Sequence, residues 1–102
     1  MIRTRVCELF DIDHPVMLGG MASITAPELA VAVSEAGGLG GVGGSYLDAA
    51  RMHEVAADMR GRTDKPFAIN FLLFVDNQDA FAAALEAAPA VMAFAWPSDG
   101  QD

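Results

Sequence analysis

TAPELAVAVSEAGGLGGVG, residues 25–43, sets the fold class. Thr25 and Glu28 stand at the S/T-x-x-E spacing of a capping box, in which each side chain accepts a hydrogen bond from a backbone N–H that the helix start leaves without a partner. Pro27 costs little there, because the first turn has no intrahelical N–H bonds to lose. Leu29, Ala32, Val33 and Ala36 then recur at three and four residues, and Gly37-Gly38 supplies a left-handed stop. The spacing predicts a helix over 26–36. The glycines that follow leave room in Leu39 to Gly43 for only a brief strand.

The same step repeats on both sides. Upstream, Val16, Met17 and Leu18 are apolar at every position and are stopped by Gly19 and Gly20, as in a strand covered on both faces. Thr4 to Phe10 is a short amphipathic piece with Val6, Leu9 and Phe10 at helical spacing, and its expected role is a cap or plug. Downstream, Ser45-Tyr-Leu-Asp48 offers another helix cap, Leu47, Met52, Val55 and Met59 line one face, and Gly61 ends the helix. Pro66 opens the strand Phe67 to Leu73. Asp76 to Asp79 starts a third helix with Phe81, Ala84, Leu85 and Ala88 as its buried stripe, and Val91 to Ala95 forms a fourth strand. Four strands joined by three helical crossovers must run parallel with right-handed connections. The class is α/β.

Composition bounds the function. The 102 residues are 53% apolar with a mean hydropathy of +0.31, which excludes a disordered chain. Six Lys and Arg against fourteen Asp and Glu give a net charge of −8, which repels phosphate backbones and anionic lipid, so neither nucleic acid nor membrane is an expected partner. The single cysteine, Cys7, leaves no disulfide framework and no cysteine-based zinc site within one chain, and suits a reducing, cytoplasmic setting. No uncharged apolar run approaches the ~20 residues that span a bilayer. A complete eight-stranded βα barrel needs roughly 250 residues. With few residues after the last strand to cover it, residues 1–102 are expected to be the front part of one larger domain, with exposed sheet edges open to self-association.

Gly38-Leu-Gly40-Gly-Val-Gly43 matches G-x-G-x-x-G, but the dinucleotide fingerprint needs a strand before the glycines and a helix opening within them. Here the order is reversed. The glycines instead let helix and strand pack closely and bring bare backbone toward the ligand side. Gly19 to Ser23 follows the first strand at its carboxyl end, where barrel loops assemble active sites; it is either a surface against which a ligand touches main chain or a plain turn. Asn70 is the one polar residue in an apolar strand, and a buried amide without a partner costs ~1–3 kcal/mol. Either neighbouring backbone satisfies it or it faces a polar ligand at the strand end. His14 precedes the first strand and is expected to be structural; His53 falls on the polar side of a helix and is expected at the surface. Cys7 reads as a small buried side chain. Trp96, Ser98 and Asp99 follow the last strand on the ligand side.

These residues carry a family resemblance. Thr4-Arg5 with Glu8-Leu9, Ile12-Asp-His-Pro15, Gly20-Met21, Pro27-Glu28-Leu29-Ala30, Ala32-Val33-Ser34, Ala36-Gly-Gly-Leu-Gly40, Thr63-Asp-Lys-Pro-Phe67 and Asn70 together resemble the amino-terminal third of nitronate monooxygenase, formerly 2-nitropropane dioxygenase, an FMN-dependent barrel enzyme. FMN-dependent enoyl thioester reductases share much of the pattern, and a non-catalytic half-barrel that assembles with a partner is the reading from another class. The resemblance implies a partial TIM (β/α)8 barrel containing about the first four parallel strands with three crossover helices. It implies FMN as cofactor, with Gly20, Met21 and Ala22 lying against the flavin ring and Asn70 hydrogen-bonding it. It implies an alkyl nitronate and dioxygen as small-molecule substrates. The family's active-site histidine and phosphate-holding loops lie in the part of the barrel that these residues do not reach, so no catalytic residue is assigned, and the 102 residues alone are expected to be inactive and not to retain FMN.

Overall fold

A computed structural model of the chain describes residues 2–19, 26–73 and 78–95. The elements run α1 (Arg5–Phe10), α2 (Pro27–Glu35), β1 (Gly40–Gly43), α3 (Ala49–Arg62), β2 (Phe67–Leu72), α4 (Gln78–Ala87) and β3 (Val91–Ala95). The strands form one parallel sheet in the order β1-β2-β3, so that each helical crossover delivers the chain to the neighbouring position. These are consecutive strands of a partial (β/α)8 barrel.

The expected first strand is reduced to a single parallel bridge. Met17 pairs with Leu39, held by Leu39 N donating to Val16 O at 2.9 Å and Leu18 N donating to Leu39 O at 2.9 Å. Pro15 before it and the emergence of Leu39 straight from the end of α2 leave one residue of overlap. Among the described residues, three strands and a bridge therefore stand where four strands were expected.

Helix boundaries follow local chemistry, with two corrections. At the start of α2, Ala26 occupies the N-cap position and makes no side-chain cap bond, with Pro27 next; the proposed cap residue Thr25 lies outside the described residues. The stop is as read: Gly37 has φ +102°, and Gly37 N and Gly38 N donate back to Ser34 O and Val33 O, both at 3.1 Å. Asp48 caps α3 by accepting from Arg51 N at 2.7 Å. That helix runs through Gly61 and ends at Thr63, whose N–H bonds Met59 O at 3.0 Å; exposed Gly61 keeps helical geometry because the turn after it supplies the stop.

Side chains alternate across β2. Phe67, Ile69 and Phe71 point outward and are fully buried beneath Met52, Val55 and Met59 of α3 and Ala80, Ala83 and Ala84 of α4. Burial of each such side chain stabilises the fold by about 1.5–3 kcal/mol. The α4 stripe is a correction: Ala80, Ala83 and Ala84 face the core, Phe81 is half-buried with its ring edge-on to Phe71 at 5.6 Å, and Leu85 is 53% exposed. Ala88 is exposed and leaves the helix with φ +51°. Alanines let α4 approach α3 and the sheet more closely than Leu85 would permit.

Among the described residues, the opposite face is covered at its N-terminal end. Cys7 of α1 and Ile12 just after it are buried against Leu39 and Ala68, with Phe10 and Val91 beside them. The three sheet residues in that cluster lie at or within one residue of the strand starts. The lead segment does cover this end, but not through the stripe read from its pattern: Val6 and Leu9 are 40% and 75% exposed, and Cys7 and Ile12 make the buried contact with Phe10 beside them.

Candidate functional site

Ladder register decides which residues share the inner face. Gly41 pairs with Ala68, which pairs with Val91; Gly43 pairs with Asn70, which pairs with Ala93; Leu72 pairs with Ala95. Directly paired residues point the same way, so the last row that spans all three strands reads Gly43, Asn70, Ala93, with Leu72 and Ala95 one row beyond. Asn70 is the only polar side chain among these inner-face strand residues, and its cross-strand neighbours Gly43 and Ala93 carry no more than a methyl group.

The Asn70 amide is half-buried. Its Nδ2 donates to Ala93 O at 3.5 Å, at the outer limit for a hydrogen bond. An asparagine side chain has two donor hydrogens and two acceptor lone pairs, and among the described residues this long contact is its only hydrogen bond. Both alternatives read from the sequence therefore have a foothold: backbone reaches the amide, but weakly, leaving capacity for a ligand. The surrounding floor is flat and apolar, a surface against which a planar ring can lie with one polar edge at Asn70.

A close helix–sheet contact supports this floor. Ser34, 1% exposed, donates from Oγ to Pro66 O at 2.8 Å and accepts from Gly40 N at 2.9 Å, joining α2, β1 and the approach to β2. Gly40 is required there, since a Cβ would collide with the Ala30 carbonyl. The glycine run therefore serves helix–strand packing, and its place between the end of α2 and β1 is opposite to the order that a dinucleotide fingerprint needs.

Of the other residues singled out, Gly20, Met21 and Ala22 lie outside the described residues, as do Trp96, Ser98 and Asp99. His14 sits at the plugged end, where its N–H donates to Gly37 O at 2.9 Å. His53 is on the surface of α3 with Nε2 3.4 Å from Glu86 Oε2 of α4. Cys7 is fully buried. Neither histidine approaches the inner face.

One residue near Asn70 has a role that its sequence context did not disclose. Ser45 reads as a helix cap, but Asp48 performs that function. Ser45 instead is 2% exposed and accepts from Leu72 N at 2.7 Å. A hydroxyl immediately beyond a strand end, two residues after the last strand glycine, is the signal that points to it.

A parallel βα sheet plugged at one end and carrying an amide among glycine and alanine at the other is a partial βα-barrel fold. The solved structure of FabK from Thermotoga maritima is 39% identical and superposes with a TM-score of 0.86, covering 92% of this chain and 30% of that one. Nitroalkane oxidase from Streptomyces ansochromogenes is 35% identical with a TM-score of 0.59, over 69% of this chain and 20% of its own. A probable nitronate monooxygenase from Staphylococcus saprophyticus is 38% identical over 80 residues, and one from Staphylococcus aureus is 29% identical over 82. These matches span 78–80% of this chain but 22% of each relative. The nitronate monooxygenase family model matches residues 3–96. The chain belongs to the nitronate monooxygenase family.

Proposed function

We propose that residues 1–102 form the amino-terminal, cofactor-facing segment of an FMN-dependent oxidoreductase that oxidises alkyl nitronates with dioxygen. The observation that carries this reading is Asn70, an amide with spare hydrogen-bonding capacity among the described residues, in the row Gly43, Asn70, Ala93 toward the C-terminal ends of the strands. Those residues fit a flat, polar-edged ring. Asn70 would hold the ring's edge, with Gly20, Met21 and Ala22 against it as the resemblance implies. FMN, when bound, takes electrons from the substrate and passes them to dioxygen. The chain's own contribution is a floor of small residues and an amide at the ring's edge. Among the described residues no helix is long and apolar enough to cross a membrane.

On this reading the 102 residues alone bind FMN poorly and do not turn over a nitronate. The test replaces the matching segment of the Staphylococcus saprophyticus relative with these residues. The expected chimera is yellow and consumes propan-2-nitronate and dioxygen. A folded chimera without flavin, or one that consumes NAD(P)H and an enoyl thioester but no nitronate, overturns the proposal.

A further inference from the structure

We infer that Ser45 is a positioning residue for Asn70, holding the strand end so that the amide faces the cofactor; this rests on the flavin reading above. β1 ends at Gly43, opposite Asn70. The parallel ladder continues one step further, with Gly44 N donating to Asn70 O at 2.8 Å. In regular parallel pairing the next rung would run from Leu72 N to the Gly44 carbonyl. That carbonyl is already turned away, accepting from Leu47 N at 3.2 Å as the chain bends toward α3. The buried Ser45 hydroxyl takes the rung instead, at 2.7 Å from Leu72 N.

Consequently, both peptide units that follow Asn70 are tied to the Gly44-Ser45 pair, one through the Asn70 carbonyl and one through the Leu72 N–H. The Asn70 side chain cannot set its own direction, because its contact to Ala93 O is 3.5 Å long. The backbone beneath it must do so. On the far side of β2, β3 is bonded through the end of the ladder, with Leu73 N donating to Ala95 O at 3.0 Å; Ser45 supplies the matching restraint on the β1 side.

The test uses the 102-residue chain, with nuclear magnetic resonance of the Asn70 side-chain amide and hydrogen exchange at Leu72 as readouts, and riboflavin as the probe because it needs no phosphate clamp. In the parent chain Asn70 is expected to hold one χ1 rotamer and its amide resonances to move on adding riboflavin. In Ser45→Ala, Leu72 exchange is expected to accelerate about tenfold or more, the Asn70 rotamer to average, and the riboflavin response to weaken severalfold. Ser45→Thr, which keeps the hydroxyl, is expected to restore all three. If Ser45→Ala fails to fold, Ser45→Cys keeps the size with a poorer acceptor and is expected to loosen Asn70 in the same direction. A fixed Asn70 rotamer in a folded Ala or Cys variant, even with faster Leu72 exchange, overturns the inference and makes Ser45 merely structural. A rotamer effect in these variants together with a folded Staphylococcus saprophyticus chimera that holds no flavin sinks the flavin reading and leaves the control of Asn70 by Ser45 supported.

Discussion

The two faces of β2 divide its six residues between opposite purposes. Outward, Phe67, Ile69 and Phe71 are wholly buried beneath α3 and α4. Inward, Ala68 meets the plug formed by α1, and Asn70 stands beside Gly43 and Ala93 with a single long hydrogen bond among the described residues. A strand has a period of two, so one stretch of sequence can put its packing energy on one side and its chemistry on the other. The lesson is that stability and ligand recognition are separable here by the parity of the residue number.

That separation is open to direct attack. The largest effect is expected from Phe71→Ala, which empties a fully buried site packed edge-on against Phe81; a loss of about 3–5 kcal/mol, read by urea denaturation, would consume much of a small domain's stability. A loss below 1 kcal/mol would show that the outer face is not the core. Next comes Ser34→Ala, which strips a partner from both Gly40 N and Pro66 O and is expected to cost ~1–3 kcal/mol in the same measurement. Asn70→Ala should then divide the two properties. Its stability change is expected below ~1 kcal/mol because the bond it removes is long, while FMN affinity in the Staphylococcus chimera falls about tenfold, the equivalent of one hydrogen bond. Equal damage to folding and binding would erase the distinction between faces. The smallest effect belongs to Glu86→Gln, since the His53–Glu86 pair is more than half exposed on both sides; less than about 0.5 kcal/mol is expected from thermal unfolding.

The outer face was the easier to read. The helical spacing of Met52, Val55 and Met59, and the apolar run from Phe67 to Leu72, report periodicities that the backbone enforces. Helix α4 misled because Leu85 is large and apolar, yet the helix turns Ala80, Ala83 and Ala84 inward: tight interhelical approach rewards small side chains, and hydropathy alone does not register distance. Val16 to Leu18 has the composition of a strand, but its pairing depends on how few residues of Leu39 to Gly43 remain extended on that edge, a tertiary fact. Asn70 was legible because an amide in an apolar strand is an anomaly. Ser45 was not, since a serine near a helix start has an ordinary local explanation that conceals its bond to a residue 27 positions away.

Cys7 gives the plug a practical use. Its thiol is fully covered, with Sγ 3.8 Å from both Thr4 Oγ1 and Asp13 O, and it is the protein's one cysteine. A thiol reagent can reach it only when the lead helix lifts from Leu39 and Ala68. The rate of alkylation is therefore a stopwatch on that lifting, obtained without introducing any substitution, and it reports how often this end of the sheet is bared to solvent.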